Sequence, residues 1–545
     1  MREVFLKRFA CEEGARKFVW VAGCGRAASS IEYMSGPLLR VGSGLYTNQQ
    51  EQQLPMRTPP LYCHLDFKGL PLQPDCLCAH IDVLKKCGVT GLILEWEDML
   101  PYSGSMAALA APNAYTEYEV KKILKAAEGL DIVPLVQTLG HCESMLRHGA
   151  FAFLREDPDD YGTICPCHEE TPAHVKELIS QVLDFHPMAT KLHIGCDEPT
   201  LGASPLTRAA AEADPAGLSG VLVEHVARTA AAARELGCRE VLMWHDAAGS
   251  MSAECLEARL LATGVSLVVW DYSPILTQSG FASKLCGLGR SPYVASAWKG
   301  ADGAEAVMPN ADAREANQRA WITWASGLAA NGGASPTGTG KGGDAGSDGS
   351  SSDVTAGRSF KGVVLTGWSR YGYTMPLTEM LHAGMPSLLS ALALWQGAAA
   401  TIVPARDVTN SESNWTAAAW EADWRANPAC ASELHALCTE LGDARAELTA
   451  IEELRRHSTR PCAAFKLRAS PKMERDLRDR ASAVLMRLKA LETLARSSAK
   501  GYSMTTLLQL AFTGDADEWV IGKIDEAIIR AKDLLSKAMS EVANR

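Results

Sequence analysis

A chain of 545 residues, 47% apolar and 21% charged, can bury a large core and has room for a barrel plus a smaller domain. Its formal net charge of −11, with no basic stripe, argues against nucleic acid and anionic membrane surfaces as partners. No apolar run approaches the roughly 18 residues of a membrane span. Sixteen cysteines scattered without a framework spacing favour reduced thiols and a setting in the cytoplasm or nucleus.

Residues 1–60 differ in character from the rest of the chain. Arg2, Lys7 and Arg8 among apolar neighbours hint at a transit peptide, but Glu3, Glu12 and Glu13 speak against one. Residues 49–60 are polar and proline-bearing, and the whole segment reads as an extension, partly disordered. From Leu61 a repeating pattern begins of short apolar run, loop and amphipathic helix. Strands are predicted at 61–67, 91–96, 131–138, 191–195, 240–244, 266–270, 293–297 and 361–365. Helices are predicted at 75–87, 116–128, 172–186, 218–236 and 311–330. Eight such alternations over 61–405 predict an α/β fold, a (β/α)8 TIM barrel. An open doubly wound sheet is the alternative, but no G-x-G-x-x-G follows the first strand. Residues 331–357 are a Gly/Ser/Asp/Thr run that cannot bury a core, so a tolerated low-complexity insertion is expected there. Helical periodicity over 430–457, 471–499 and 515–542 predicts a C-terminal α-helical region at 406–545, packed on the barrel or on a second copy of the chain.

A barrel of this kind places its site at the carboxyl ends of the strands. The fourth strand runs K-L-H-I-G-C-D-E-P from Lys191 to Pro199. Proline stops it, and glycine before the acids lets the backbone turn, so Asp197 and Glu198 can serve one pocket although strand neighbours point to opposite faces. Two crowded carboxylates cannot both ionise easily, which leaves one as a proton donor. The other strand ends carry His64 and Asp66; Glu95, Glu97 and Asp98; Gln137 and His141; Trp244, His245 and Asp246; Trp270, Asp271 and Tyr272; Trp298 and Lys299; and Trp368, Arg370 and Tyr371. Tryptophans recurring among hydrogen-bonding groups suit a sugar, with its apolar faces and hydroxylated edges. Cys165, Cys167, His168 and His174 lack the spacing of a zinc site, and neither metal nor cofactor is expected. Two other readings are a metal-dependent hydrolase using His64, His141, His193, His245 and Asp197, and a non-catalytic carbohydrate-binding barrel. Against the first, position 66 is aspartate where an H-x-H pair needs histidine; against the second, the acid Glu198 is present.

The segments H-L-D-F-K-G from His64, E-W-E-D-M-L-P-Y from Glu95, P-L-V-Q-T-L-G-H from Pro134, H-I-G-C-D-E from His193, V-W-D-Y from Val269 and L-T-G-W from Leu365 together resemble the family 20 glycoside hydrolases. The resemblance implies a (β/α)8 barrel and an exo-acting β-N-acetylhexosaminidase that releases terminal N-acetylhexosamine from a glycan or glycoconjugate. It implies retaining, substrate-assisted catalysis, in which the 2-acetamido oxygen attacks C1. By position in the motif, Glu198 is then the general acid and base, keeping a proton, while Asp197 stays charged and holds the acetamide N–H. Trp244, Trp270, Trp298 and Trp368 are expected to wall the pocket, His141 to support the acid through Glu97 or Asp98, and Asp66 and Tyr272 to bind substrate. Lys299 departs from the pattern, standing where lysosomal members carry a tyrosine for the acetamide carbonyl, and Gln137 stands where they carry an acid. The resemblance also implies N-acetylgalactosamine ahead of N-acetylglucosamine, and leaves a homodimer as a candidate assembly.

Overall fold

Strands covered on both faces read as unbroken apolar runs, and the eight runs of this sequence form eight parallel strands. The computed structural model describes residues 59–68, 72–331, 359–402, 432–459, 471–496 and 521–543. Nearly all of the expected extension, the insertion beyond Asn331 and the stretch 403–431 lie outside the described residues. The strands are β1 (Leu61–Asp66), β2 (Gly91–Glu95), β3 (Asp131–Leu135), β4 (Lys191–His193), β5 (Glu240–Trp244), β6 (Ser266–Trp270), β7 (Tyr293–Lys299) and β8 (Gly362–Gly367). They pair in sequence order, and β8 returns to β1 to close the barrel.

Between the strands run α1 (Pro74–Lys86), α2 (Glu117–Ala126), α3 (Thr171–Phe185), α4 (Leu218–Glu235), α5 (Ser279–Gly287) and α6 (Ala311–Asn331), and α7 (Leu381–Ile402) follows β8. Local chemistry fixes several of their starts. Pro74 opens α1, where its missing N–H costs nothing. Thr116 and Glu119 form a reciprocal capping box at α2. β3 and β4 are shorter than predicted, and after β4 the backbone turns early: Gly195 and Cys196 both adopt positive φ, at 65° and 67°.

The period of two along each strand divides the core. Tyr62, Ile93, Val133, Leu135, Leu242, Val268, Tyr293, Ala295 and Val364 fill the barrel. Their alternates, such as Leu65, Leu92, Val241, Val269 and Leu365, face the helices. Continuing the inward series by one pleat puts His64, Glu95, Gln137, Trp244 and Trp270 at the barrel mouth, and two pleats beyond Val364 puts Trp368 there.

The predicted C-terminal helices are α8 (Ser432–Thr459), α9 (Pro471–Arg496) and α10 (Glu526–Ala543). α8 and the turn before α10 attach to the loop after β7. Arg445 pairs with Glu305 at 3.2 Å, the Lys523 ammonium donates to the Ala304 carbonyl at 2.7 Å, and Gly442 lies against Val307. The region therefore packs on the barrel's own loop. Among the described residues no helix is long and apolar enough to cross a membrane.

Candidate active site

At the mouth, a cavity of about 460 Å³ is lined by Lys68, Gln137, His141, Asp197, Glu198, Trp244, Trp270, Tyr272, Gly300, Ala301, Trp368, Arg370 and Tyr371. Left-handed backbone turns at side-chain-bearing residues end three of the strands, and those at His141 and Glu198 reach the cavity. Glu97, His141 and Glu198 have φ of 52°, 52° and 45°, a strain of about 1–3 kcal/mol each that persists only where the surroundings enforce it. Two glycines enforce it: a Cβ at Gly140 would come 1.9 Å from the Asp197 carbonyl oxygen, and one at Gly195 would come 1.9 Å from Gln137 Oε1. The chain before His141 and the chain carrying Asp197 and Glu198 are thus pressed together.

Asp197 is buried and Glu198 is half-exposed. Nε2 of His141 lies 3.2 Å from Glu198 Oε2 and 3.6 Å from Asp197 Oδ2, with Glu143 Oε1 4.0 Å behind it at Nδ1. Burial would push His141 down, but the bond to Glu198 and the charge of Asp197 outweigh it and raise the imidazole to about 9. The same bond holds Glu198 below its ordinary value, whereas burial pushes Asp197 above its own. In the free protein the solvent-facing Glu198 is thus favoured in its ionised form, because a histidine from another strand reaches it. The backbone N–H of Glu198 donates to Asp246 Oδ2 at 2.7 Å, and Asp246 Oδ1 accepts from Trp270 Nε1 at 3.0 Å. Asp246 therefore ties the acid's backbone to one aromatic wall.

Trp244, Trp270, Tyr272 and Trp368 line the cavity as expected. Trp368 lies 4.7 Å from the His64 ring and 5.7 Å from Trp244, and its Nε1–H donates to the Tyr272 hydroxyl at 3.0 Å. Tyr272 stacks on Trp270 at 5.3 Å. Below them, Glu95 accepts from Gln137 Nε2 at 3.0 Å and meets His64 Nε2 at 2.9 Å. Burial holds His64 neutral, down at about 4, and lifts Glu95 to about 8. Asp197 Oδ1 and Trp244 Nε1 are buried and have no protein hydrogen-bond partner.

Three expected cavity residues stand elsewhere. Trp298 is fully buried, pointing outward between Gly367 and Gly384, where a Cβ would meet its ring at 2.4 and 2.6 Å. Asp66 lies behind the wall, accepting from the backbone N–H of Lys68 at 2.8 Å and of Ser369 at 2.7 Å. Glu97 is buried against the Lys68 ammonium at 3.2 Å. The carboxylate behind His141 is Glu143, not Glu97 or Asp98; Asp98 pairs with Arg147 at 2.6 Å. Gln137, Arg370 and Tyr371, read from the strand ends, line the cavity, whereas Lys68, Gly300 and Ala301 line it without having been marked by the sequence. The inward series pointed to Gln137, and the spacing His141-x-Glu143 was the available sign of the supporting acid. Trp298→Ala is expected to destabilise the fold by about 3–5 kcal/mol, seen as a lowered Tm, with KM for any cavity ligand unchanged.

The histidines of the metal alternative do not converge. His64 meets Glu95, His193 packs on Trp244 at 4.4 Å between ring centroids, and His245 meets Gln278 at 3.3 Å. Of the candidate zinc cluster, Cys165 pairs with Thr207 and His174 with the Glu170 carbonyl. Among the described residues, the three-residue grouping with metal-like proximity is Cys76, His80 and His382, buried and outside the cavity lining.

No protein-family model matches the chain. It is 33% identical to human hexosaminidase D over 340 residues, covering 61% of this chain and 64% of that protein. It is 32% identical to the bovine hexosaminidase D over 352 residues, covering 63% of this chain and 94% of that one. The matched part thus spans somewhat under two thirds of the human relative's length. Among solved structures, a family 20 exo-β-N-acetylglucosaminidase of Vibrio harveyi in complex with N-acetylglucosamine aligns at TM-score 0.42 and 13% identity, over 62% of this chain and 54% of that one. A β-N-acetylhexosaminidase of Bacteroides fragilis aligns at TM-score 0.42 and 14% identity, over 62% and 65%. These two structural likenesses are too remote to carry an argument. The sequence match over nearly the whole bovine relative does carry one: the chain belongs to the hexosaminidase D family.

Proposed function

We propose that the cavity is the active site of an exo-acting, retaining β-N-acetylhexosaminidase whose nucleophile is the substrate's own acetamide. The observation that carries the reading is a buried carboxylate with an unengaged oxygen, Asp197, next to a carboxylate–imidazole pair, Glu198 and His141, inside an aromatic cavity of single-sugar dimensions. In the first step the acetamide oxygen bonds C1 as the glycosidic C1–O bond breaks, and Glu198 delivers a proton to the departing oxygen. Asp197 Oδ1 accepts the acetamide N–H and balances the positive charge spreading onto that group. The Tyr272 hydroxyl accepts from Trp368 Nε1, which leaves its own proton to donate to the acetamide oxygen. In the second step Glu198 takes a proton from water, the water oxygen bonds C1, and the C1–acetamide bond opens. Trp244, Trp270 and Trp368 enclose the sugar, while Lys68 and Arg370 supply donors to its hydroxyls. Terminal β-linked N-acetylgalactosamine or N-acetylglucosamine on a glycan or glycoconjugate is the substrate. Free thiols at the described cysteines support action in a reducing compartment, cytoplasm or nucleus.

Ionised Glu198 in the free protein fits this chemistry because the pair already holds the required proton. Transfer from His141 to Glu198 across 3.2 Å makes the acid without uptake from solvent. The pair loses its proton as pH rises through the imidazole value of about 9, so the alkaline limb of kcat/KM, which reports the free enzyme, should fall there. In His141→Gln no imidazole stores the proton, and Glu198 releases it in the ordinary carboxylate range. The alkaline limb should therefore move several pH units downward, and a limb unmoved by this substitution would refute the assignment.

The reading is tested with chromogenic β-N-acetylgalactosaminide and β-N-acetylglucosaminide, a thiazoline that mimics the cyclised intermediate, and EDTA. Turnover that the thiazoline blocks and EDTA spares supports it, and the ratio of the two sugars gives the preference. Loss of turnover with EDTA would favour a metal-dependent hydrolase. Thiazoline binding without turnover would favour a non-catalytic sugar-binding barrel.

A further inference from the structure

At the end of β7 the chain places a lysine where a buried cation needs a reason. Lys299 is 3% exposed, and burying an ammonium costs several kcal/mol unless its surroundings compensate. A bulge between Ala297 and Lys299 shifts the β7–β8 register and sets Lys299 opposite Gly367. Trp298 points outward to α7, whereas the Lys299 ammonium donates to the backbone carbonyl of Trp368. That carbonyl also accepts from Thr378 Oγ1 at 2.8 Å. The next peptide is fixed as well, since Ser369 donates its N–H to Asp66 Oδ2 at 2.7 Å. The facing peptide is held by Glu379, whose Oε2 accepts from the Gly300 N–H at 2.8 Å. There is no slack at this junction: a Cβ on Gly300 would sit 2.4 Å from the Trp368 carbonyl oxygen. Burial pushes the Lys299 ammonium down to about 8, with Glu379 and Asp66 opposing that fall.

What this junction holds is the residue whose indole walls the cavity and whose Nε1–H engages the Tyr272 hydroxyl. We propose that Lys299 is a positioning residue for the glycosidase reaction, clasping the Trp368 peptide so that its indole, and the Tyr272 hydroxyl the indole directs, stand where the substrate's acetamide binds. The proposal rests on the reading of the cavity as a hexosaminidase site. Lys299 does not line the cavity and touches no substrate; it acts through Trp368. A displaced carbonyl swings the indole on the same residue and breaks its bond to Tyr272, which weakens recognition of the acetamide more than it alters proton transfer at Glu198.

The test uses the full chain carrying Lys299→Met, Thr378→Val or the charge-balanced pair Lys299→Met with Glu379→Gln, the last in case the single lysine variant does not fold. Tm, KM, kcat and the Kd of the thiazoline by calorimetry are measured for each. In whichever lysine variant folds, KM and thiazoline Kd are expected to rise together by about 10- to 100-fold, the loss that one hydrogen bond to a charged group corresponds to. Thr378→Val, which removes a neutral donor to the same carbonyl, is expected to raise both by less, about 2- to 10-fold. In both cases kcat should stay within a few-fold and the alkaline limb of kcat/KM should not move. A lysine variant with a lowered Tm but unchanged KM and Kd would make Lys299 merely structural and overturn the proposal. If the unaltered chain neither turns over nor binds the thiazoline, the hexosaminidase reading itself fails and this proposal with it.

Discussion

Glu198→Gln is expected to lower kcat on a β-N-acetylhexosaminide by about 10²–10⁴-fold, the range of a positioned proton donor. The amide has the size and hydrogen-bonding reach of the acid, and the backbone bond from residue 198 to Asp246 does not involve the side chain. KM and thiazoline affinity should therefore remain near those of the unaltered chain. The loss should depend on the leaving group. A nitrophenolate departs without a proton, so its cleavage loses least in the first step, whereas a sugar alcohol must be protonated and loses most. Comparing the two substrates separates loss of the acid from loss of the fold. Equal losses for both, with a lowered Tm, would point to structural damage.

Asp197→Asn is expected to reduce kcat by about 10²–10³-fold, the effect of removing one preorganised electrostatic partner from a water-poor site. The substituted amide can still accept the acetamide N–H, so binding survives and the loss falls on the step in which positive charge develops. Burial raises the Asp197 carboxyl while His141 lowers it, and the reaction needs the ionised form. Activity should therefore decline as pH falls through that raised value; in Asp197→Asn the acid limb should disappear, and the alkaline limb set by His141 should move to lower pH because the Asp197 charge no longer supports the imidazolium. A variant that loses KM rather than kcat would assign Asp197 to ground-state binding.

Much of this arrangement was legible along the chain. Both faces of each strand are covered, so the apolar runs of β1, β2, β5 and β6 announced themselves within a residue or two of their ends. The residues at the carboxyl ends of those strands, His64 and Glu95 among them, marked the mouth. Local irregularities hid the rest. The bulge before Lys299 breaks the period of two, and a strand-end tryptophan that looked like a pocket wall instead faces α7. Asp66 resembled a ligand by type, yet its oxygens are engaged by two backbone N–H groups, which sequence spacing does not reveal. The left-handed turns at Glu97 and His141 bring Glu143 rather than Glu97 behind the imidazole. Nor does the Asp-Glu dipeptide tell which carboxyl is pushed down and which up: that depends on His141, 57 residues earlier in the chain, bonding the outer carboxylate while burial raises the inner one.

The central claim, attack by the acetamide oxygen, is tested most directly by substituting that group itself. Aryl β-N-acetylglucosaminides bearing acetyl, monofluoroacetyl, difluoroacetyl and trifluoroacetyl groups differ in the nucleophilicity of one oxygen and little in size. On attack by that oxygen, kcat/KM should fall steeply and monotonically along the series, by more than tenfold overall, each tenfold step being 1.36 kcal/mol of activation free energy. A flat series, with all four substrates cleaved at similar kcat/KM, would contradict the account and transfer the nucleophile to the protein or to water.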